Sequence, residues 1–222
     1  MTLSIIIFVL FFLTLVNYFQ LVTFASLIIG SKIKTSTIVD EWIIKTIKEK
    51  TGLALKNITI FHDKRPYGMM GGIYPFPILI ISEEMYKSFN HNEMEWVLLH
   101  EAGHHLLWHN LEAIIIEGIT MFLGIKLIYL LLLNVFWSGI LSAFFSILTV
   151  QIIRYVIEYQ ADKFSIKRVT NPQGVVTAQA KLRKYYNISL FNSEKSLIRI
   201  FLHWNISPDL RIKMAKSRLA VE

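Results

Sequence analysis

The stretch His100-Glu101-Ala102-Gly103-His104 decides how this chain is read, because it sets two imidazoles four residues apart with a carboxylate beside the first. On a helix, positions i and i+4 lie one above the other. His100 and His104 can therefore offer ring nitrogens to one metal ion while Glu101 projects toward a water on that ion. Zinc in such a site lowers the pKa of its water to about 7. A neighbouring carboxylate can then take the proton, direct hydroxide at a carbonyl and protonate the leaving amine. That is metal-assisted peptide hydrolysis. The rival reading is two histidines and a glutamate sharing a helix surface by chance. Context weighs against it: Asn92 with Glu95 three residues on has the spacing of an N-terminal cap, and Trp96, Val97 and Leu99 supply apolar contacts.

A catalytic zinc usually takes three protein ligands and keeps a fourth position for water. The metzincin pattern is excluded, since it requires Gly and His where this chain has Leu107 and Asn110. His105 and His109 are close in sequence, but neither has the spacing of a third ligand. Further on, Glu158-Tyr159-Gln160-Ala161-Asp162 places two carboxylates at i and i+4 of a second helix, with the small Ala161 allowing a close helix neighbour. Glu158 is the expected third ligand. Asp162, one turn later, is expected to accept the free ring N–H of a ligand histidine and fix its tautomer. Without the histidine motif, both would read as a solvated helix face.

These two stretches resemble the metal motif and the downstream Glu-x-x-Ala-Asp motif of the membrane-embedded zinc metallopeptidases that include HtpX-like proteases and type I CAAX prenyl proteases. The resemblance runs from about residue 36 to 219. It implies a gluzincin fold, one Zn2+ on His100, His104 and Glu158, and Glu101 as general base. Two departures stand out. The family's Asn-Ala-Phe before its edge strand is replaced by Arg65-Pro66-Tyr67-Gly68-Met69-Met70-Gly71-Gly72. Its C-terminal His-Pro and Arg are replaced by Ser207-Pro208-Asp209-Leu210-Arg211-Ile212-Lys213, with Ser in the His position and Lys where the Arg aligns. The family's transition-state histidine therefore does not transfer by alignment. His203, one helical turn earlier, is the candidate to replace it, with a packing role as its alternative.

Composition points independently to a bilayer: 54% of the residues are hydrophobic, and they come in blocks. Leu3 to Ile29 is uncharged and longer than the roughly 20 residues needed to cross a hydrocarbon core. It lacks the basic start of a signal peptide. Residues 1–30 are thus expected to be a transmembrane anchor and 31–222 a metallopeptidase domain, interrupted at about 113–153 by a transmembrane hairpin that turns near Asn134 to Gly139. A hairpin returns the chain to the side it left, which would bring Glu158 back to the histidines. One extended helix is expected to carry the histidines into the membrane. Glu117 and Lys126 interrupt the first arm, Glu117 at the interface and Lys126 snorkelling or facing a polar cavity. Lys32, Lys34, Arg154 and Lys163 flank the spans, so the soluble sections and the active site are expected to face the cytoplasm.

The formal net charge of +7 reads as a topology signal and an attraction to anionic lipid. The basic residues are distributed without a binding motif, which argues against nucleic acid. The chain has no cysteine, which excludes disulfides and thiol catalysis. The expected fold class is α+β, mainly helical, with a small edge-strand sheet. A helix is expected over Thr37 to Lys50, a strand over Asn57 to Phe61, and a second strand over Ile73 to Ile81 after a Gly71-Gly72 turn. Pro75 and Pro77 mark that second strand as an edge able to receive an extended peptide. The expected function is a membrane-bound zinc endopeptidase with a cytoplasmic active site, acting on membrane proteins or peptides delivered along the lipid bilayer, of undetermined oligomeric state. The alternative is a membrane regulatory or binding protein that keeps zinc without turnover.

Overall fold

In the computed structural model, which describes residues 34–73, 76–130, 135–186 and 206–220, the run Thr35–Ile38, β-branched except at Ser36, forms strand β1. The chain then enters helix α1 (Glu41–Thr51). The Asp40 carboxylate caps its start by accepting the Ile43 N–H at 3.1 Å, and Gly52 (φ 77°) closes its end. The apolar spacing expected to start a helix at Thr37 is thus divided: the first residues join the sheet and Asp40 sets the helix boundary.

Strands β2 (Ile58–Phe61), β3 (Gly68–Ile73) and β4 (Phe76–Ser82) complete a mixed four-stranded sheet in the order β1-β2-β4-β3. β4 runs parallel to β2 from Ile58↔Leu79 to Phe61↔Ser82 and antiparallel to β3 from Ile73↔Phe76 to Gly68↔Ile81. This corrects the expected edge. β4 is flanked on both sides from Leu79 onward, while at Pro77 β2 does not reach it, so the missing N–H there costs no ladder bond to β2. Among the described residues the edge strands are β1 and, beside β4, β3. Gly71 and Gly72 lie within it rather than forming a turn, and Gly72 takes a positive φ of 92° at a point where a Cβ would sit 2.2 Å from the Phe76 carbonyl oxygen.

Short helix α2 (Glu83–Ser88) leads to α3 (His91–Leu106), which carries the histidine motif. Its capping box is Asn90 with Glu93: Oδ1 of Asn90 accepts the Glu93 N–H, and Glu93 accepts the Asn90 N–H. The expected pair Asn92 and Glu95 is two residues late. Glu95 has other partners, accepting from Thr170 N–H at 2.9 Å and from Lys50 at 2.7 Å. Leu98, Leu99 and Ala102 of α3 are fully buried with Ile43, Ile47, Ile58, Leu79 and Ile81. At roughly 1.5–3 kcal/mol per fully buried aliphatic side chain, this packing fixes α3 against α1 and the sheet.

The helical run does not continue unbroken. It stops at Leu106, Trp108 takes a left-handed φ of 57°, and α4 (His109–Leu130) begins anew. Helix α5 (Val135–Arg168) follows, so helix resumes inside the stretch expected to hold the turn. Then come α6 (Gln173–Tyr186), starting just after Pro172, and α7 (Pro208–Leu219), capped by Ser207 Oγ, which accepts the Leu210 N–H at 3.1 Å.

Two units contain the described residues: 34–109 with 155–220, and 110–130 with 135–154. Among the described residues no single helix is long and apolar enough to cross a membrane, although His91–Leu106 and Leu111–Gly124 together meet that length and composition. The expected anchor at 1–30 lies outside the described residues, as do 131–134 of the expected hairpin.

Candidate metal centre

Helix α3 places His100 and His104 one turn apart, and α5 brings Glu158 to them. The two Nε2 atoms are 3.2 Å apart. Glu158 sets Oε2 3.4 Å from His100 Nε2 and Oε1 3.4 Å from His104 Nε2. Three donors bound tetrahedrally at ~2.0–2.1 Å would be separated by about 3.3–3.4 Å, and the two ring nitrogens, with one Glu158 oxygen facing each of them, lie at spacings of that size. These three residues could hold a metal ion.

The approach of the two helices depends on small residues. A Cβ on Gly103 would lie 3.1 Å from Phe164 Cδ1 and 3.4 Å from the Ala161 Cα. The Gly in the histidine motif and the Ala in the second motif thus let α5 come close enough for Glu158 to reach both rings.

Behind the triangle, Asp162 is fully buried, with Oδ1 2.9 Å from His100 Nδ1 in a charge contact rather than an aligned hydrogen bond. Arg211 from α7 spans both acids, donating from Nε to Asp162 at 2.6 Å and from Nη2 to Glu158 at 3.0 Å. Its guanidinium also lies 5.7 Å from the Trp96 ring centre. With neutral rings, Glu101, Glu158 and Asp162 against Arg211 leave two negative charges, a balance that a divalent cation completes.

The electrostatics of the bare site follow from this crowding. Burial opposes charge on His100, but Asp162 and then Glu158 outweigh it and raise its pKa to about 10. Burial also works against the Glu158 carboxylate, yet His100 and His104 hold its pKa well below the ordinary range. For Glu101, burial dominates and pushes the carboxyl up, with His100 and His104 pulling it back. The edge strand lies beside Glu101: a Cβ on Gly68 would meet its Cγ at 3.9 Å, and the Met70 backbone donates toward its carboxylate.

Sequence reasoning passed over two residues of this cluster. Arg211 was hidden by an alignment that put Lys213 in the arginine's place, whereas Lys213 is exposed. His109 is fully buried, with Nδ1 3.0 Å from His104 Nδ1 and Nε2 3.0 Å from Gln160 Oε1. Burial, with His104 adding to it, lowers the His109 pKa to about 4. Five residues along an unbroken helix would turn His109 away from His104, and only the break at Trp108 brings it back. The spacing of the motifs therefore carried no signal for it. His203 lies outside the described residues.

Residues 36–210 match the sequence pattern of peptidase family M48. The structure is similar to the crystal structure of Ste24p from S. mikatae, with a TM-score of 0.68 and 16% identity, over 94% of this chain and 58% of that one. At that identity the likeness shows the fold, mainly helical with a small mixed sheet. This chain thus spans little more than half the length of that protein. No curated protein matches by sequence.

Proposed function

The chain belongs to peptidase family M48, and from that premise we propose that it is a membrane-bound zinc-dependent endopeptidase, with Glu101 as general base, hydrolysing membrane proteins or peptides at the cytoplasmic face. The observation that carries this reading is the cluster of His100, His104 and Glu158 donors at spacings a zinc ion needs, set beside a half-buried Glu101. A zinc ion held there would supply Lewis acidity that polarises the peptide carbonyl and acidifies water.

The chain's own residues account for the remaining steps. Glu101, its pKa raised by burial, takes a proton from the attacking water as hydroxide adds to the carbonyl carbon. When the C–N bond breaks, the same carboxyl returns that proton to the departing nitrogen, leaving one new carboxyl group and one new amine. Asp162 and Arg211 hold His100 and Glu158 in place while this happens. The edge strand β3 has one row of backbone groups unpaired within the sheet and runs past Glu101, which suits it to align an extended substrate by strand addition.

The membrane part of the reading rests on the apolar blocks of the sequence and on α4. There Leu111, Ile115, Ile119 and Leu123 recur at four-residue spacing and are all exposed. The test is cleavage of an unfolded protein by the zinc-loaded, detergent-purified chain beside Glu101→Gln. Activity is expected to fall by about 10²–10⁴-fold in the variant while zinc content is kept. Equal cleavage by both would remove Glu101 from the base role. Zinc bound without cleavage by either would favour the non-catalytic zinc protein.

A further inference from the structure

We infer that His109 and Gln160 form a proton-ordering pair that sets the tautomer of His104, making them positioning residues for the metal centre. This rests on the zinc reading above and extends it to two residues outside the ligand set. A contact of 3.0 Å between two Nδ1 atoms needs one proton between them, so one ring donates and the other accepts. Gln160 settles which. Its Oε1, 3.0 Å from His109 Nε2, can only accept, so Nε2 of His109 carries the hydrogen. A neutral imidazole has one N–H, and His109 therefore turns a bare Nδ1 toward His104.

His104 must then donate from Nδ1, and its Nε2 keeps a lone pair. That Nε2 is the atom 3.2 Å from His100 Nε2 and 3.4 Å from Glu158. The opposite proton order would place a hydrogen on Nε2 of His104 and close it to a cation. His100 is oriented through Asp162. His104 has no carboxylate in that position among the described residues, and His109 with Gln160 supplies the acceptor instead. The backbone serves the same end: Trp108 adopts its left-handed conformation one residue before His109, and the restarted helix turns that ring back onto His104. Gln160 stands between Tyr159 and Ala161 in the second motif, so one segment of α5 delivers both a donor to the metal triangle and the acceptor that orders the relay.

The test compares shape-matched substitutions in the full-length, detergent-purified protein, reading the zinc dissociation constant by chelator competition and the His104 tautomer by imidazole ¹⁵N shifts. Asn places a carbonyl oxygen where His109 has Nδ1, whereas Leu places a methyl there. His109→Leu is expected to raise the zinc dissociation constant about 10- to 100-fold, and His109→Asn to stay within about threefold of the parent. Gln160→Glu, which still accepts, is expected to behave as the parent, while Gln160→Leu weakens zinc and mixes the His104 tautomers. A parent-like dissociation constant in His109→Leu overturns the inference, and so does equal weakening by Leu and Asn. Should His109→Leu fail to fold, the Gln160 pair decides: loss in Leu alone supports the relay, and equal loss in Leu and Glu overturns it. Zinc binding by the parent that survives His104→Ala would instead overturn the metal reading itself, and the relay with it.

Discussion

Arg211 holds two carboxylates that repel each other, and the zinc-free protein depends on it. Glu158 and Asp162 both bond to its guanidinium, and its side chain is only 12% exposed. Arg211→Met leaves those charges under-compensated and is expected to cost about 3 kcal/mol without zinc. Saturating zinc restores positive charge at the same place, so the deficit should shrink when thermal unfolding is repeated with the metal. An equal deficit in both states would mean that Arg211 acts by packing alone. His100 gives a second expectation. Its folded pKa of about 10 lies above its ordinary 6.5, so its contact with Asp162 contributes stability that is fully present below about pH 6.5 and is lost as pH rises through 10. Glu158 has the opposite sign: its lowered pKa gives stability present above its ordinary value of 4.5 and lost in acid. Zinc must displace the His100 proton, so between about pH 7 and 10 zinc affinity should rise close to tenfold per pH unit, with about one proton released per ion. Calorimetry in buffers of different ionisation enthalpy reads that proton. Flat affinity across this window would show that His100 is already neutral.

The approach of α5 to α3 rests on Gly103, where an added Cβ would meet Phe164 at 3.1 Å. Gly103→Val is expected to push the helices apart, destabilise the fold by about 1–3 kcal/mol and weaken zinc by drawing Glu158 from the rings. Urea unfolding and zinc titration check the two effects, and unchanged zinc affinity would show that Glu158 adjusts independently of the helix spacing. What could be read from the sequence follows the range of each interaction. His100 and His104 sit on one helix, and fixed periodicity places them together. Glu158 and Asp162 needed only the further assumption that a second helix returns. The capping box was misplaced by two residues because Asn90-Glu93 and Asn92-Glu95 have identical spacing, and the choice between them is made by distant partners of Glu95, Lys50 and Thr170. The edge strand was misassigned because Gly68-Met69-Met70-Gly71-Gly72 has little intrinsic β preference and becomes a strand by pairing with β4. Arg211 and His109 were out of reach for a related reason. One depends on where α7 docks, the other on a single left-handed residue.

At the scale of the whole molecule, the proposed membrane attachment is carried by an exposed apolar face of α4. Leu111, Ile115, Ile119 and Leu123 are each about half exposed and spaced one turn apart, with Phe122 beside the last. Such a stripe in water would hold apolar surface that nothing covers; in a bilayer it is the surface lipid requires. The two environments predict opposite responses to charge. Lysine near the middle of a membrane helix costs about 2.5–3.5 kcal/mol per residue on the insertion scale, and much less near its ends. Ile119→Lys together with Leu123→Lys is therefore expected to remove about 5–7 kcal/mol of insertion free energy and to shift the chain from the membrane pellet to the alkaline-carbonate supernatant or to degradation. Leu111→Lys, close to the start of the helix, is expected to leave it in the pellet. In a water-soluble chain the same double substitution would be harmless or would improve solubility, because it replaces exposed apolar side chains by solvated ones. Pellet retention unchanged by the double substitution would remove the lipid-facing role of α4, and the case for a membrane-bound peptidase would then fall back on the apolar segment before Lys32.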